Sequence, residues 1–316
     1  MIDLQNLSVA HRQGYEQRTV VHDVSLQVTA GECFGLVGPS GCGKSSLLWV
    51  MAGLNPSWQG TMTLAGHQAT PGKPFTGQLR QDVQMVFQDP YASLHPRHRL
   101  KRTLAEPLKM LKVRDINERI EQGFRHVGLD PALADRYPHQ LSGGQQQRIG
   151  VARALAADPE VLLMDEPFGA LDPVTRATLQ QEIARIHRLS GKTIVLVTHD
   201  IDEALALADR LVLMDGGKVV QQGTPTALLT KPVNDFVRRF FGQSEWGIRL
   251  LSLGLVGEAA RRGEWLEEES IAETLTLREA LSLFIARGTD RLAVRDRNQQ
   301  PLGVLHFADL LRQRQQ

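Results

Sequence analysis

CFGLVGPSGCGKSS, residues 33–46, decides how this chain folds. Its apolar start has the length and composition of a buried strand, Gly38 breaks the run, and Ser45, Ser46, Leu47 and Leu48 return to helix-compatible residues. Gly38, Gly43, Lys44 and Ser45 satisfy the pattern G-x-x-x-x-G-K-[ST]. Glycines let backbone N–H groups curl around phosphate oxygens, and the helix that follows points its positive end at the same anion. Lys44 is then expected on the β- and γ-phosphates of ATP and the Ser45 hydroxyl on Mg²⁺. The candidate phosphate site is the whole loop of Gly38, Pro39, Ser40, Gly41, Cys42, Gly43, Lys44, Ser45 and Ser46. A Gly-rich turn beside a surface lysine is the structural alternative, which the flanking strand and helix disfavour.

The 316 residues suffice for two domains and a sizeable core, and 42% hydrophobic residues is ordinary for a soluble globular protein. With 36 basic and 35 acidic side chains the net charge is +1, so no global field favours nucleic acid. No apolar run approaches the roughly eighteen residues of a spanning helix, and the start MIDLQNLSVA lacks a basic region followed by an apolar block. A cytoplasmic protein is expected. Cys33 and Cys42 are too few for a zinc site or a disulfide framework and are expected as small packing residues.

Outward from the loop, IDLQNLSV and VVHDVSLQV alternate apolar and polar positions, as half-buried antiparallel strands do. An aromatic ring in this region would stack on an adenine; Tyr15 is the candidate and His11 the second choice, with an exposed loop side chain as the alternative. GTMTLAG is a further strand, and the Gly- and Pro-containing residues 66–80 form a loop. VQMVF is a buried strand that ends at Gln88, where a polar side chain reaches the ligand edge of an open α/β sheet. From there Gln88 would meet Mg²⁺ or an attacking water. Residues 91–140 turn basic and then helical, which marks an insertion; the run Arg97, Arg99, Lys101 and Arg102 suits a solvated face, with nucleic acid or a membrane-side partner as the alternatives. In LSGGQQQRIGVARAL, Ser142 caps a helix whose first residues, Gly143, Gly144 and Gln145, present a second anion-seeking N-terminus; a plain structural cap is the alternative. VLLMDEP is a central strand delivering Asp165 to Mg²⁺ and Glu166 to the attacking water, and TIVLVTHD repeats the pattern with His199 at its tip.

In this order and spacing, the phosphate loop, Gln88, LSGGQ at Leu141 to Gln145, VLLMDE at Val161 to Glu166, ALD at Ala170 to Asp172, and His199 resemble the ATP-binding subunit of an ABC transporter across about residues 1–230. That resemblance implies a P-loop α/β core with antiparallel β and helical subdomains, the latter at about residues 90–158. It also implies a head-to-tail pair of ATPase subunits, identical or pseudo-symmetric, with two ATP molecules between them. Lys44 and Ser45 of one chain would face Ser142, Gly143 and Gly144 of the other. Glu166 would be the general base, His199 a γ-phosphate contact, Asp172 a link between the two sites, and Gln88 the coupling residue to membrane subunits. A single ATPase core with no fused membrane domain resembles an importer subunit on the cytoplasmic face of the cell membrane, working with transmembrane permeases and, indirectly, a substrate-binding receptor. A soluble ATPase or regulator without membrane partners is the competing class.

Two stretches point to different cargo. VQMVFQDPYASLHPR and AEPL, between Val83 and Leu108, resemble peptide and nickel importers. Tyr137 to Arg176, IVLVTHDIDEAL and NDFVRRFFG resemble importers of glycine betaine, choline and related osmoprotectants. The tail agrees with the second: TLREALSLFIARG, LAVRD and PLGVLHFADLL resemble one copy of a CBS motif. Its helix is expected to bury Leu277, Ala280, Leu281, Phe284 and Ile285 on one face. The organisation expected is an ATPase domain at 1–230, a linker at 231–250 and a CBS-like domain at 251–316, either a ligand sensor or only a dimerising cap.

Overall fold

A computed structural model describes the chain except for residues 14–15, 90–93, 170, 243–244 and 315–316. Its elements run β1 (Ile2–Gln13), β2 (Glu16–Val28), β3 (Cys33–Val37), α1 (Lys44–Met51), β4 (Trp58–Leu64), β5 (His67–Gln68), α2 (Gly77–Asp82) and β6 (Val83–Val86). The helical stretch follows with α3 (Leu100–Met110), α4 (Ile116–His126) and α5 (Gly143–Ala156). Then come β7 (Val161–Asp165), α6 (Pro173–Ser190), β8 (Thr193–Val197), α7 (Ile201–Leu207), β9 (Arg210–Asp215) and β10 (Lys218–Gly223). Two compact units divide the chain, Met1–Thr224 and Pro225–Gln316.

The first unit contains two sheets. One is antiparallel, in the order β2-β1-β4-β5; the other runs β10-β9-β3-β8-β7-β6, with every pair from β9 to β6 parallel. Strand parity explains how one sheet serves two cores. Val161, Leu163, Val195 and Val197 face the antiparallel sheet and α1, while Leu162, Met164, Ile194 and Leu196 face α3 to α6. A parallel strand buried on both faces must read as a continuous apolar run, as VLLM and TIVLV do. The same parity sends Asp165 to the α1 side. Residues 66–80, read from the sequence as a loop, carry the two-residue strand β5 and the start of α2, because Thr76 turns the chain into a helix that feeds β6.

The second unit has α8 (Pro225–Thr230), α9 (Asp235–Phe240), α10 (Trp246–Leu253) and α11 (Val256–Ala259). Residues 231–250, read as a linker, thus carry one helix and the start of another. Asn234 caps the first by accepting from Val237 N at 3.0 Å, and Trp246 Nε1 donates to Leu229 O at 2.8 Å. Next come β11 (Ile271–Ala272), α12 (Leu277–Arg287), β12 (Arg291–Arg295), β13 (Pro301–His306) and a 3₁₀ helix at Phe307–Arg314. Thr276 and Glu279 form a capping box at the start of α12, and the sheet order is β11-β12-β13. Leu277, Ala280 and Phe284 are buried as expected, Leu281 is partly buried, and Ile285 is 73% exposed. At about 100° per residue, Ile285 lies roughly a quarter-turn or more from the centre of the buried arc, beyond what the small sheet covers.

A chain ending at Thr224 is expected to melt cooperatively and to bind a fluorescent ATP analogue. Loss of both would show that the second unit is needed for the first to fold.

Candidate active site

Sheet order sets the site. Moving outward from β3 one meets β8, β7 and β6, and the segments leaving these four strands carry, in that order, the Gly38 to Ser45 loop, His199, Asp165 with Glu166, and Gln88. Ligands bind beyond the carboxyl ends of such strands. The loop closes on itself through Lys44, whose Nζ donates to Gly38 O at 2.8 Å and Pro39 O at 3.0 Å. Gly43 caps α1 at φ 101°, in the left-handed region, and a Cβ there would lie 2.9 Å from Val21 Cγ2. Lys44 is 5% exposed, and among the described residues it makes no ion pair. A buried ammonium held by neutral groups, here two carbonyls and the Cys42 sulfur at 3.8 Å, is costly, and an anion relieves that cost. The loop therefore fits a phosphate chain.

Asp165, also 5% exposed, stands across β8 from the loop. Its Oδ1 accepts from Ser45 Oγ at 2.8 Å and its Oδ2 from Trp49 Nε1 at 3.1 Å. Burial pushes its pKa up, against the pull of those two hydrogen bonds. A hydroxyl beside a carboxylate is a hard oxygen set that suits Mg²⁺. Among the described residues no group of three or more His, Cys, Asp or Glu could hold a metal, so these oxygens would share one with the phosphates.

Glu166 follows at φ 44°, its backbone N–H donating to Val197 O at 2.9 Å. Non-glycine residues seldom adopt this conformation, and here it turns the carboxylate away from the strand's alternation. Its Oε2 accepts from Gln88 Nε2 at 3.3 Å and lies 2.9 Å from His199 Nδ1. Glu166, Gln88 and His199 are thus gathered around one oxygen, and His199 is 59% exposed by side chain.

The LSGGQ segment forms a separate feature. Ser142 and Gln145 make a reciprocal capping box at the start of α5. Among the described residues no hydrogen bond or ion pair joins Ser142 to Gln145 with the phosphate loop. Gly144 is buried where a Cβ would collide with Thr175 Cγ2, whereas at Gly143 a Cβ would meet nothing within 4 Å. Asp172 caps α6 by accepting from Val174 N at 3.1 Å and Thr175 N at 3.0 Å, and the Thr175 contacts hold its carboxyl below the usual range.

Of the two adenine candidates, Tyr15 lies outside the described residues, as does Ala170 of the ALD stretch. His11 sits with Nε2 2.8 Å from Ser46 Oγ, beside the loop. Both cysteines are buried. Desolvation, with Asp209 and Glu32 nearby, pushes the Cys33 thiol up to about 12, and burial raises Cys42, the larger effect there, against the pull of Lys44. Two residues escaped the sequence reading. Trp49 could have been found from its spacing four after Ser45 on a helix; Gln147, whose Nε2 donates to Phe87 O at 3.1 Å, carried no such signal.

The ABC transporter family model matches residues 21–169, and the CBS domain model matches 267–315. The glycine betaine uptake system ATP-binding protein YehX of Escherichia coli (strain K12) is 52% identical over 293 residues, 92% of this chain and 94% of that protein. The chain belongs to the ABC transporter ATP-binding subunits. It is an ATPase of that family with a CBS domain at its C-terminal end. The glycine betaine/carnitine/choline transport ATP-binding protein OpuCA of Bacillus subtilis (strain 168) is 38% identical over 94% of this chain and 76% of its own length. Among solved structures, the dimeric ATP-binding cassette MJ0796, in a post-hydrolysis state bound to ADP and Pi, aligns with a TM-score of 0.63 and 30% identity over 71% of this chain and 99% of that one. Neither named transport relative is a peptide or nickel protein, so the resemblance read between Val83 and Leu108 finds no support in them. No helix among the described residues is long and apolar enough to cross a membrane.

Gly144→Ala is expected to lower the melting temperature, because forcing a methyl against Thr175 costs about 1–3 kcal/mol. Gly143→Ala should leave it unchanged or raise it slightly, by about 0.5–1 kcal/mol of helix preference. Equal melting of the two variants would remove the close approach at Gly144.

Proposed function

We propose that this ATPase energises import of quaternary-amine osmoprotectants, with glycine betaine, choline or carnitine as cargo. The hydrolytic half of this reading is carried by one observation, the buried Lys44 ammonium that makes no ion pair among the described residues. The cargo half is supported by likeness to YehX and OpuCA, which are named for those compounds.

Lys44 exchanges the Gly38 and Pro39 carbonyls for the β- and γ-phosphate oxygens of ATP. Mg²⁺, when bound, neutralises charge on the phosphates. Ser45, Asp165 and Gln88 are the residues that would hold it. Glu166 is the general base: with Oε2 engaged by Gln88 and facing His199, Oε1 is the oxygen left to take the proton of the attacking water. His199 orients that carboxylate and meets the γ-phosphate. Ser142, Gly143, Gly144 and Gln145 of a second chain, head-to-tail with the first, supply the other helix N-terminus, for which the open space at Gly143 leaves room. Asp172 lies on the path between the two sites. The assembly sits on the cytoplasmic face of the cell membrane beneath permease subunits fed by a cargo receptor, and the CBS domain regulates it.

Lys44→Ala is expected to weaken ATP binding, since a charge-assisted hydrogen bond contributes about 1.5–3 kcal/mol. Glu166→Gln should retain binding and slow turnover by about 10²–10⁴-fold. Near-normal hydrolysis in the second variant would take Glu166 out of its role. Mass spectrometry of membrane proteins that co-purify with the tagged chain checks the cargo: a permease with a betaine- or choline-binding receptor is the expected set, and recovery of the ATPase alone would favour a soluble regulator.

A further inference from the structure

Trp49 is a surface anomaly with a partner. Its side chain is 42% exposed, although large apolar groups belong inside, and it stands on the helix that carries the phosphate loop. Ser45 and Trp49 are four residues apart on α1, so their side chains lie one above the other on a single face. That face meets the end of β7, and the two side chains divide the Asp165 carboxylate between them. Ser45 Oγ donates to Oδ1 at 2.8 Å and Trp49 Nε1 to Oδ2 at 3.1 Å. The donors are not equivalent. A serine hydroxyl rotates and can both donate and accept, whereas an indole has one N–H and no acceptor. The contact to Oδ2 therefore has a single chemical sense, and it anchors one oxygen of the carboxylate whatever Ser45 does.

We propose that Trp49 is a positioning residue for the metal of the hydrolytic site, its indole N–H fixing the orientation of the Asp165 carboxylate that, with Ser45, holds Mg²⁺. This rests on the reading of Ser45 and Asp165 as the metal's holders. It goes further by giving a hydrolytic-site task to an exposed side chain that touches neither nucleotide nor metal. Removing a group that orients the residues holding a metal commonly costs about 10- to 100-fold in metal affinity. Trp49→Phe keeps an aromatic ring on α1 and deletes only the donor. Asp165 is then held by Ser45 alone and loses a hydrogen bond that its burial makes hard to replace with water.

The test titrates Mg²⁺ into the full-length protein with a fluorescent, non-hydrolysable ATP analogue, reading nucleotide binding rather than turnover. For Trp49→Phe the half-saturating Mg²⁺ concentration is expected to rise about 10- to 100-fold, while metal-free nucleotide binding stays as in the wild type and the metal-free melting temperature falls only by what one lost hydrogen bond costs. Asp165→Asn, titrated alongside, separates the two layers of the argument. If Asp165→Asn shifts the Mg²⁺ dependence and Trp49→Phe does not, the role of Trp49 is overturned and that of Asp165 stands. If neither shifts it, the metal is held elsewhere and both fall. If Trp49→Phe lowers metal-free binding or melting as much as metal-dependent binding, Trp49 is a packing residue and the proposal is overturned. A second measurement uses the wild type alone. Of four indole N–H signals in a ¹H–¹⁵N spectrum, one for each tryptophan in the chain, that of Trp49 should move when Mg²⁺ is added to the nucleotide-bound protein. No indole signal that responds to the metal would equally sink the proposal.

Discussion

A carboxylate placed almost out of reach of water at the end of an apolar strand is the constraint on which the rest of the first unit depends. Asp165 ends VLLMD, a strand buried along its whole length, and an ionised group there is tolerable only when hydrogen-bonded. Both donors come from one face of α1, so satisfying Asp165 fixes the register of that helix against β7, two strands away from the strand that feeds it. The phosphate loop cannot then drift from the acids. Burial raises the pKa of Asp165, and the Ser45 and Trp49 hydrogen bonds oppose that rise, so the same contacts that stabilise the fold favour the carboxylate form.

The complementary tension lies in Lys44. Its ammonium is as buried as Asp165 and is held by two carbonyls and the Cys42 sulfur of its own loop, an arrangement that holds the loop's shape without giving the charge an ion-pair partner among the described residues. A buried cation and a buried anion flank the same loop without forming an ion pair, which leaves each free to act on a third party. Phosphate oxygens for the one and a divalent cation for the other relieve both, and ATP with Mg²⁺ supplies them together. That is why the proposed site needs little rearrangement of its protein groups to become catalytic; its electrostatics are set by the fold before a ligand arrives.

Much of this was legible in the sequence because parallel strands buried on two faces announce themselves. CFGLV, VLLM and TIVLV can be little else, and the polar residue after each run falls at the ligand edge, so the places of Lys44, Asp165, Glu166 and His199 follow from local pattern. What local pattern omits is distance across the sheet. Spacing puts Trp49 on the helix face of Ser45 but does not say that its indole meets a carboxylate 116 positions away, and nothing in QQQR distinguishes Gln147, which reaches the loop before Gln88, from Gln146, which caps backbone carbonyls at Pro138 and Leu141. The tail misled for a related reason. Ile285 obeys the helical period, but a three-stranded sheet is too narrow to cover so wide an apolar stripe. Residues 231–250 lack the Gly and Pro density of an ordered turn yet fold into helices, because apolar side chains such as Val237 and Phe241 have a small core to enter.

Gln147 also ties the two halves of the proposed site together. It lies two residues after Gln145, inside the first turns of the helix whose N-terminus is proposed for a partner's phosphate, and it is 2% exposed. Its amide grips the Phe87 carbonyl, one residue before the glutamine that touches Glu166. A buried amide left without its acceptor costs about 1–3 kcal/mol, so a displacement of the start of α5 carries the Phe87 backbone with it more cheaply than it breaks the bond. Gln88 follows Phe87 through a single peptide unit, and the Gln88 side chain meets the same oxygen as His199. Movement at the start of α5 thus has a covalently short route to the proposed general base, and the route stays within one chain even though the proposed site takes two.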